Sequence, residues 1–131
     1  MINLMESRRI FPAAMLVLIT AEIFYFSSIS GSKEPGSIGL ASVAYHFTVF
    51  FLFSFFLFAL VKGKNPVKAK HMLLVAGISV AHAILDEIHQ MFVPFRDAGI
   101  NDVLTNTLGI FSSMILYIYI SFKKDKITQQ P

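Results

Sequence analysis

The sequence predicts an all-α polytopic membrane protein: four antiparallel transmembrane helices, with the N- and C-termini both on the cytoplasmic side. Three observations lead there. Four runs of about 20 apolar residues, each long enough to cross a bilayer, occupy most of the 131-residue chain, which holds 14 Phe and no Cys. The breaks between these runs are rich in Gly, Pro, Ser or Lys, the residues that punctuate regular structure. Lys and Arg also divide unevenly between the two sides that four spans create. Arg8, Arg9, Lys62, Lys64, Lys68, Lys70, Lys123, Lys124 and Lys126 fall on one side, and Lys33 and Arg96 on the other. Basic residues collect on the cytoplasmic face, which fixes the expected orientation.

Taken in order, a short basic lead reaches Arg9 and the first span covers residues 10–30. Arg8 and Arg9 before an apolar run resemble the start of a signal peptide. The run continues through Glu22 and Tyr25 without an Ala-x-Ala-like cleavage site, so it is read as a retained anchor. Gly31-Ser-Lys-Glu-Pro-Gly-Ser37 is a loop. The second span, 38–61, carries the Phe-rich stretch Phe47 to Phe58, a packing or lipid-facing surface, with His46 near its start. Residues 62–71 form a basic cytoplasmic loop. The third span covers 72–92 and stops before Pro94, which cannot continue a helix. Residues 93–101 make a tight connection, the fourth span covers 102–122, and 123–131 is a polar cytoplasmic tail. Tyr117 and Tyr119 suit an aromatic belt at the cytoplasmic interface.

Composition excludes several functions. The formal charge of +3 is modest, and its basic residues sit in short clusters between apolar runs, as topology signals do rather than nucleic-acid surfaces. Without Cys there is no disulfide and no thiolate metal site. No cofactor motif is present and none is expected.

The chemistry concentrates in Ile78-Ser-Val-Ala-His-Ala-Ile-Leu-Asp-Glu-Ile-His-Gln-Met-Phe-Val-Pro-Phe-Arg96. Ionisable groups inside an apolar span are costly, so they need partners and mark a functional site by default. At about 100° per residue His82, Asp86, His89, Gln90 and Val93 share one face, with Glu87 on its Gln90 flank. On the fourth span Asp102, Asn106, Gly109 and Ser113 share a face, and Gly109-x-x-x-Ser113 allows a neighbouring backbone to come close. The third and fourth spans are therefore expected to pack along these faces, with Arg96 in reach of Asp97, Asp102 and Glu87. Ser27, Ser28 and His46 lie at the same, outward end. The expected result is one polar pocket in the outer half of the bilayer. Glu22 stands apart and needs a partner of its own, such as Tyr25, Tyr45 or His82.

Phe26-Ser-Ser-Ile-Ser30, Tyr45-His-Phe47, Asp86-Glu-Ile-His-Gln-Met-Phe-Val-Pro94, Arg96, Asp102-Val103 and Asn106-x-x-Gly109 together resemble the VanZ-like membrane protein family in order and spacing. The resemblance implies a small multi-pass plasma-membrane protein of the cell envelope, from a family named after a teicoplanin-resistance protein. It carries Ser27, Ser28, His46, Asp86, Glu87, His89, Gln90, Arg96, Asp102 and Asn106 over as site positions. Three positions depart from the family pattern: Val43 where Lys is common, Phe95 where Gly is common, and Ser112-Ser113 where a further Gly is common.

Four readings of these residues stand side by side. Asp86, Glu87 and His89 form a candidate acid–base set. Arg96 is placed to hold a phosphate or carboxylate bidentately, with Ser27, Ser28, His46, Gln90, Asp102 and Asn106 completing a binding site. The substrate would be a lipid or lipid-linked envelope precursor reached sideways from the outer leaflet. The same pocket can bind a head group without chemistry. His46, His82, Asp86 and His89 have spacings that a metal allows, although no HExxH is present. Finally, the whole cluster can be a structural network that fixes helix register, provided it is fully satisfied.

Overall fold

The computed structural model describes residues 8–30, 39–96 and 98–128, without the side chains of 125, 127 and 128. The loop read at 31–37, the first residue of the expected second span, Asp97 and the end of the tail lie outside the described residues. All regular structure among the described residues is helical: α1 Ile10–Ser27, α2 Leu40–Lys62, α3 Ala69–Gln90 and α4 Ile100–Thr128. Each of the four is long and apolar enough to cross a membrane.

Local chemistry explains the ends. Pro12 sits in the first turn of α1, where its missing N–H costs nothing. α2 stops at Gly63, whose φ of +53° is a conformation that suits glycine, and its N–H bonds the Ala59 carbonyl at 3.1 Å. A Cβ at Gly63 would stand 2.7 Å from Nη2 of Arg9, so the α2 terminus lies under the start of α1. α3 begins earlier than the expected 72, because Lys68 is extended and its N–H donates to Nδ1 of His71 at 3.2 Å, closing the first turn. α4 runs past the expected 122. Lys residues favour helix and suit its negative C-terminal end, so the polar tail prolongs the helix.

α2 is the central helix and packs most extensively on α4. His46 meets Asn106 at one end of this pair and Phe58 meets Tyr117 at the other, so α2 and α4 run side by side in the same sense. The approach is close at Gly109, where a Cβ would run into the Phe47 carbonyl oxygen and come within 3.2 Å of Phe51 N. The small-residue face of α4 thus packs on α2, not on α3 as its sequence neighbour suggested. Two spans joined by a short hairpin need not bury their small residues against each other when a third helix offers a better-shaped groove.

The core joins Phe50, Phe53, Leu57 and Phe58 of α2 to Ile19 and Ile23 of α1, Val75 and Ala83 of α3, and Ile110, Met114 and Tyr117 of α4. Tyr117 is fully buried, its ring stacked on Phe58 at 4.6 Å and edge-on to Phe55 at 5.2 Å. It is a core residue rather than part of an interfacial belt, whereas Tyr119 is exposed. Glu22 lies on the exposed face of α1 and hydrogen-bonds none of Tyr25, Tyr45 or His82.

Candidate functional site

One end of the bundle holds the polar cluster. On α3 the buried positions are His71, Val75, Ser79, Ala83, Asp86, Glu87 and Gln90, a stripe at helical spacing. At about 100° per residue this stripe centres near Ser79 and Gln90, with Asp86 close to its middle and Glu87 on its Gln90 side, where Glu87 is buried all the same. His82 and His89 sit at its edge, half-buried. The helix is rotated this way because its inward face meets α2 and α4 together, a constraint that the α3 sequence alone does not contain.

Asp86 is held from two sides. The Ser27 hydroxyl of α1 donates to Oδ1 at 2.5 Å, and Gln90 Nε2 donates to Oδ2 at 2.9 Å. Gln90 in turn accepts from Nε of Arg96 at 3.1 Å. Arg96 is therefore tied to the cluster through Gln90 and hydrogen-bonds neither Glu87 nor Asp102, two of the three partners expected of it; the third, Asp97, lies outside the described residues. The bond forms because the connection after α3 folds back tightly: Val93 N bonds Gln90 O at 3.0 Å, Arg96 N bonds Val93 O at 3.3 Å, and Phe95 takes a φ of +59°.

Glu87 accepts the Gly99 N–H at Oε2, 3.2 Å away, while Oε1 is buried without a hydrogen-bond partner. From α2, His46 reaches Asn106 of α4, with Nδ1 to Oδ1 at 3.1 Å. With the amide oxygen facing the ring, Nδ1–H is the donor, and in the neutral imidazole Nε2 is then the nitrogen with the lone pair. One ligand-capable atom from each of His46, Asp86 and Glu87 falls in a group within 4.8 Å of one another. This is the group with metal-ligand spacing among the described residues, and it differs from the His46, His82, Asp86 and His89 set that helical spacing suggested.

His82 instead lies against Phe53 and Phe50, with ring centroids 4.6 and 5.7 Å away. His89 stacks on Phe24 at 4.9 Å and reaches Ser28 Oγ with Nε2 at 3.0 Å. Since the Ser28 hydroxyl gives its proton to the Phe24 carbonyl at 2.6 Å, the His89 Nε2–H is the donor. His82, Asp86 and His89 share a cavity of about 190 Å³ with Phe24 and Leu85. Glu87 is not among the residues lining it, so the three residues read as an acid–base set are divided between two environments. Asp102 is half-buried in the first turn of α4, where a carboxylate suits the positive end of the helix.

A second cavity, of about 230 Å³, is lined by Phe26, Ile29, Ser42, Tyr45, His46 and Arg96. It brings Arg96 and His46 to one cavity with two aromatic residues, Phe26 and Tyr45, whose rings meet edge-on at 5.4 Å. Sequence reasoning missed the aromatic wall and the Gly99 amide. Tyr45 immediately before His46 was a legible signal for the first. For the second, nothing marked Gly99 beyond its place in a short connection.

No curated protein and no solved structure matches the chain. The family described as VanZ/LLP1 does match, over residues 9–122, a stretch that takes in α1 to α3 and α4 as far as Phe122; the chain belongs to that family.

Proposed function

We propose that this chain is a plasma-membrane protein of the cell envelope that binds the head group of a lipid or lipid-linked envelope precursor and so influences susceptibility to glycopeptides such as teicoplanin. In this reading the four helices are antiparallel spans, the basic end faces the cytoplasm, and the cluster opens to the outer leaflet. Contacts that pair Phe11 with Phe56 and Phe26 with Tyr45 support alternating directions. The Lys and Arg distribution supports the orientation.

The single observation that carries the binding reading is the cavity shared by Arg96 and His46. A half-buried guanidinium whose Nε is engaged by Gln90 keeps its two Nη groups for a ligand. Such an edge suits a phosphate, which takes two parallel N–H bonds from Arg. Phe26, Tyr45 and Ile29 offer the adjoining apolar part of the molecule a surface. The Ser27–Asp86–Gln90–Arg96 chain of hydrogen bonds favours a second reading, in which the cluster is structural scaffolding.

Teicoplanin susceptibility and lipid retention separate the two. A sensitive Gram-positive host would receive empty vector, wild type, Glu87→Gln or Arg96→Gln at matched membrane levels, and lipids retained by the purified proteins would be weighed by mass spectrometry. The binding reading expects protection and a retained phospholipid or lipid-linked precursor with wild type, both reduced with Arg96→Gln. A chemically altered lipid product would extend it to catalysis. Full protection and retention by both variants would leave only the scaffold. Absence of protection by wild type would remove the glycopeptide role and leave retention to decide on binding.

A further inference from the structure

We propose that His46, Asp86 and Glu87 form a divalent-cation site that takes a first-row transition ion of the Zn²⁺ or Mn²⁺ class. Their ligand atoms fall within 4.8 Å of one another, and the three residues are only 3%, 6% and 6% exposed. Ion–ligand bonds of about 2.1 Å would draw the three side chains together. No hydrogen bond joins any two of them, so they face one another without being paired. Buried polar groups in that position need a shared proton or a cation.

Three further features favour the cation. Glu87 Oε1 is the first: a carboxylate oxygen on a side chain more than nine-tenths buried, with no partner. The second is that each ligand is already fixed from behind. Nδ1–H of His46 donates to Asn106, leaving Nε2 for the ion. Oε2 of Glu87 accepts the Gly99 amide, leaving Oε1. Ser27 and Gln90 each bond one oxygen of Asp86, and each oxygen has a second lone pair. Outer partners of this kind set the tautomer and orientation of metal-binding His and carboxylate groups. The third is charge. Two carboxylates face this space with Asp102 close to Glu87, and Arg96, the cation near them, hydrogen-bonds Gln90 and neither carboxylate of the site.

The donor set selects the ion class. One imidazole nitrogen with carboxylate oxygens and no thiolate suits Zn²⁺ or Mn²⁺, whereas an all-oxygen cage would suit Ca²⁺ or Mg²⁺. Three protein ligands leave at least one position for water or for a ligand oxygen. His46 lines the Arg96 cavity, which gives that position a route from outside. The site does not depend on the head-group reading, because an ion held there would brace α2 against α3 under the scaffold reading as well.

The test uses the full chain, purified in mild detergent with any tag removed and stripped with chelator. Co²⁺ serves as a spectroscopic probe, followed by Zn²⁺ and Mn²⁺ titrations and thermal melting. Wild type should show a saturable visible Co²⁺ band at one equivalent that Zn²⁺ displaces, and Zn²⁺ should raise its Tm. Glu87→Gln and His46→Gln should each weaken binding at least ~10-fold, and Asn106→Ala, one step behind the ligand, by ~10–100-fold. His71→Gln, at the other end of the bundle, should bind as wild type does. Folded wild type that binds none of the three ions saturably would overturn the site without any variant. Binding by Glu87→Gln and His46→Gln equal to that of wild type would overturn it too.

Discussion

Between Phe53 and Tyr117 the helices meet through rings and aliphatic side chains; between Ser27 and Asn106 they meet through hydrogen bonds. The first region has Phe58 stacked on Tyr117 and Phe55 edge-on to it. The second links α1, α3 and the connection after α3 through Ser27, Asp86, Gln90 and Arg96, and α2 to α4 through His46 and Asn106. Inside a membrane, apolar contact between helices gains little from expelling water, because lipid tails are as apolar as the side chains. Ring packing there contributes stability through shape and tolerates small rotations. Hydrogen bonds of 2.5 to 3.1 Å do not, so the polar end sets how each helix is turned. That end also holds more than register requires, since Glu87 Oε1 and Asn106 Nδ2 are left without partners.

If the two ends do different jobs, mutations should sort by end. Phe58→Ala should have the largest effect on stability. Phe58 is fully buried between α2 and α4, and emptying such a site costs about 3 kcal/mol, the low side for Phe because the unfolded chain in detergent is also in apolar surroundings. Thermal melting in detergent would show a large fall in Tm, and lipid retention by the folded fraction should match wild type. Loss of retention at matched folded protein would break the separation.

Gly109→Ala comes next, at about 2 kcal/mol. Its Cβ would collide with the backbone of Phe47, which cannot swing away as a side chain can. Because Gly109 lies between the two ends, this variant should lower Tm and also displace His46 relative to Asn106, one turn away. Weaker ion binding together with the lower Tm would sharpen the comparison by locating where the ends are coupled.

Ser27→Ala is smaller, about 1.5 kcal/mol, because it takes away one donor to a buried carboxylate whose other oxygen stays bonded to Gln90. Melting of Ser27→Ala, Asp86→Asn and the double variant forms a cycle. A coupling near 1 kcal/mol is expected. A coupling near zero would mean that the 2.5 Å bond contributes no net stability.

Much of this was legible in the chain and some was not, for one physical reason. The four apolar runs and the residues that interrupt them are visible because length and charge define a span. The charged members of the polar cluster were visible because ionisable groups inside a span stand out. The rotation of each helix was hidden. In a soluble bundle apolar periodicity marks the inward face, but here lipid-facing positions are apolar as well: Leu73, Leu85 and Leu108 are exposed while Val75, Ala83 and Ile110 are buried. Without that signal, Tyr117 was placed at an interface and Gly109 against α3. Likewise His46 and Glu87 are 41 positions apart on different helices, and helical spacing within α3 pointed to His82 and His89 instead.

The smallest effect belongs to Phe95, the position where the family pattern commonly has Gly. Its φ of +59° is a left-handed conformation that costs a residue with a Cβ about 1 kcal/mol. Phe95→Gly removes that strain but gives the unfolded chain more freedom, which returns roughly half of the gain. The backbone gain of about 0.5 kcal/mol is set against the interaction that Phe95 itself makes, and a small rise in Tm is expected where the strain outweighs it. The turn itself is held by the bond from Arg96 N to Val93 O, which the substitution leaves in place, so Arg96 should still reach Gln90 and lipid retention should match wild type. A fall in Tm instead would mean that the Phe95 ring makes a contact worth more than the strain. The polar end would then depend on an aromatic anchor as the apolar end does, and the contrast between the two ends would narrow at the connection that carries Arg96.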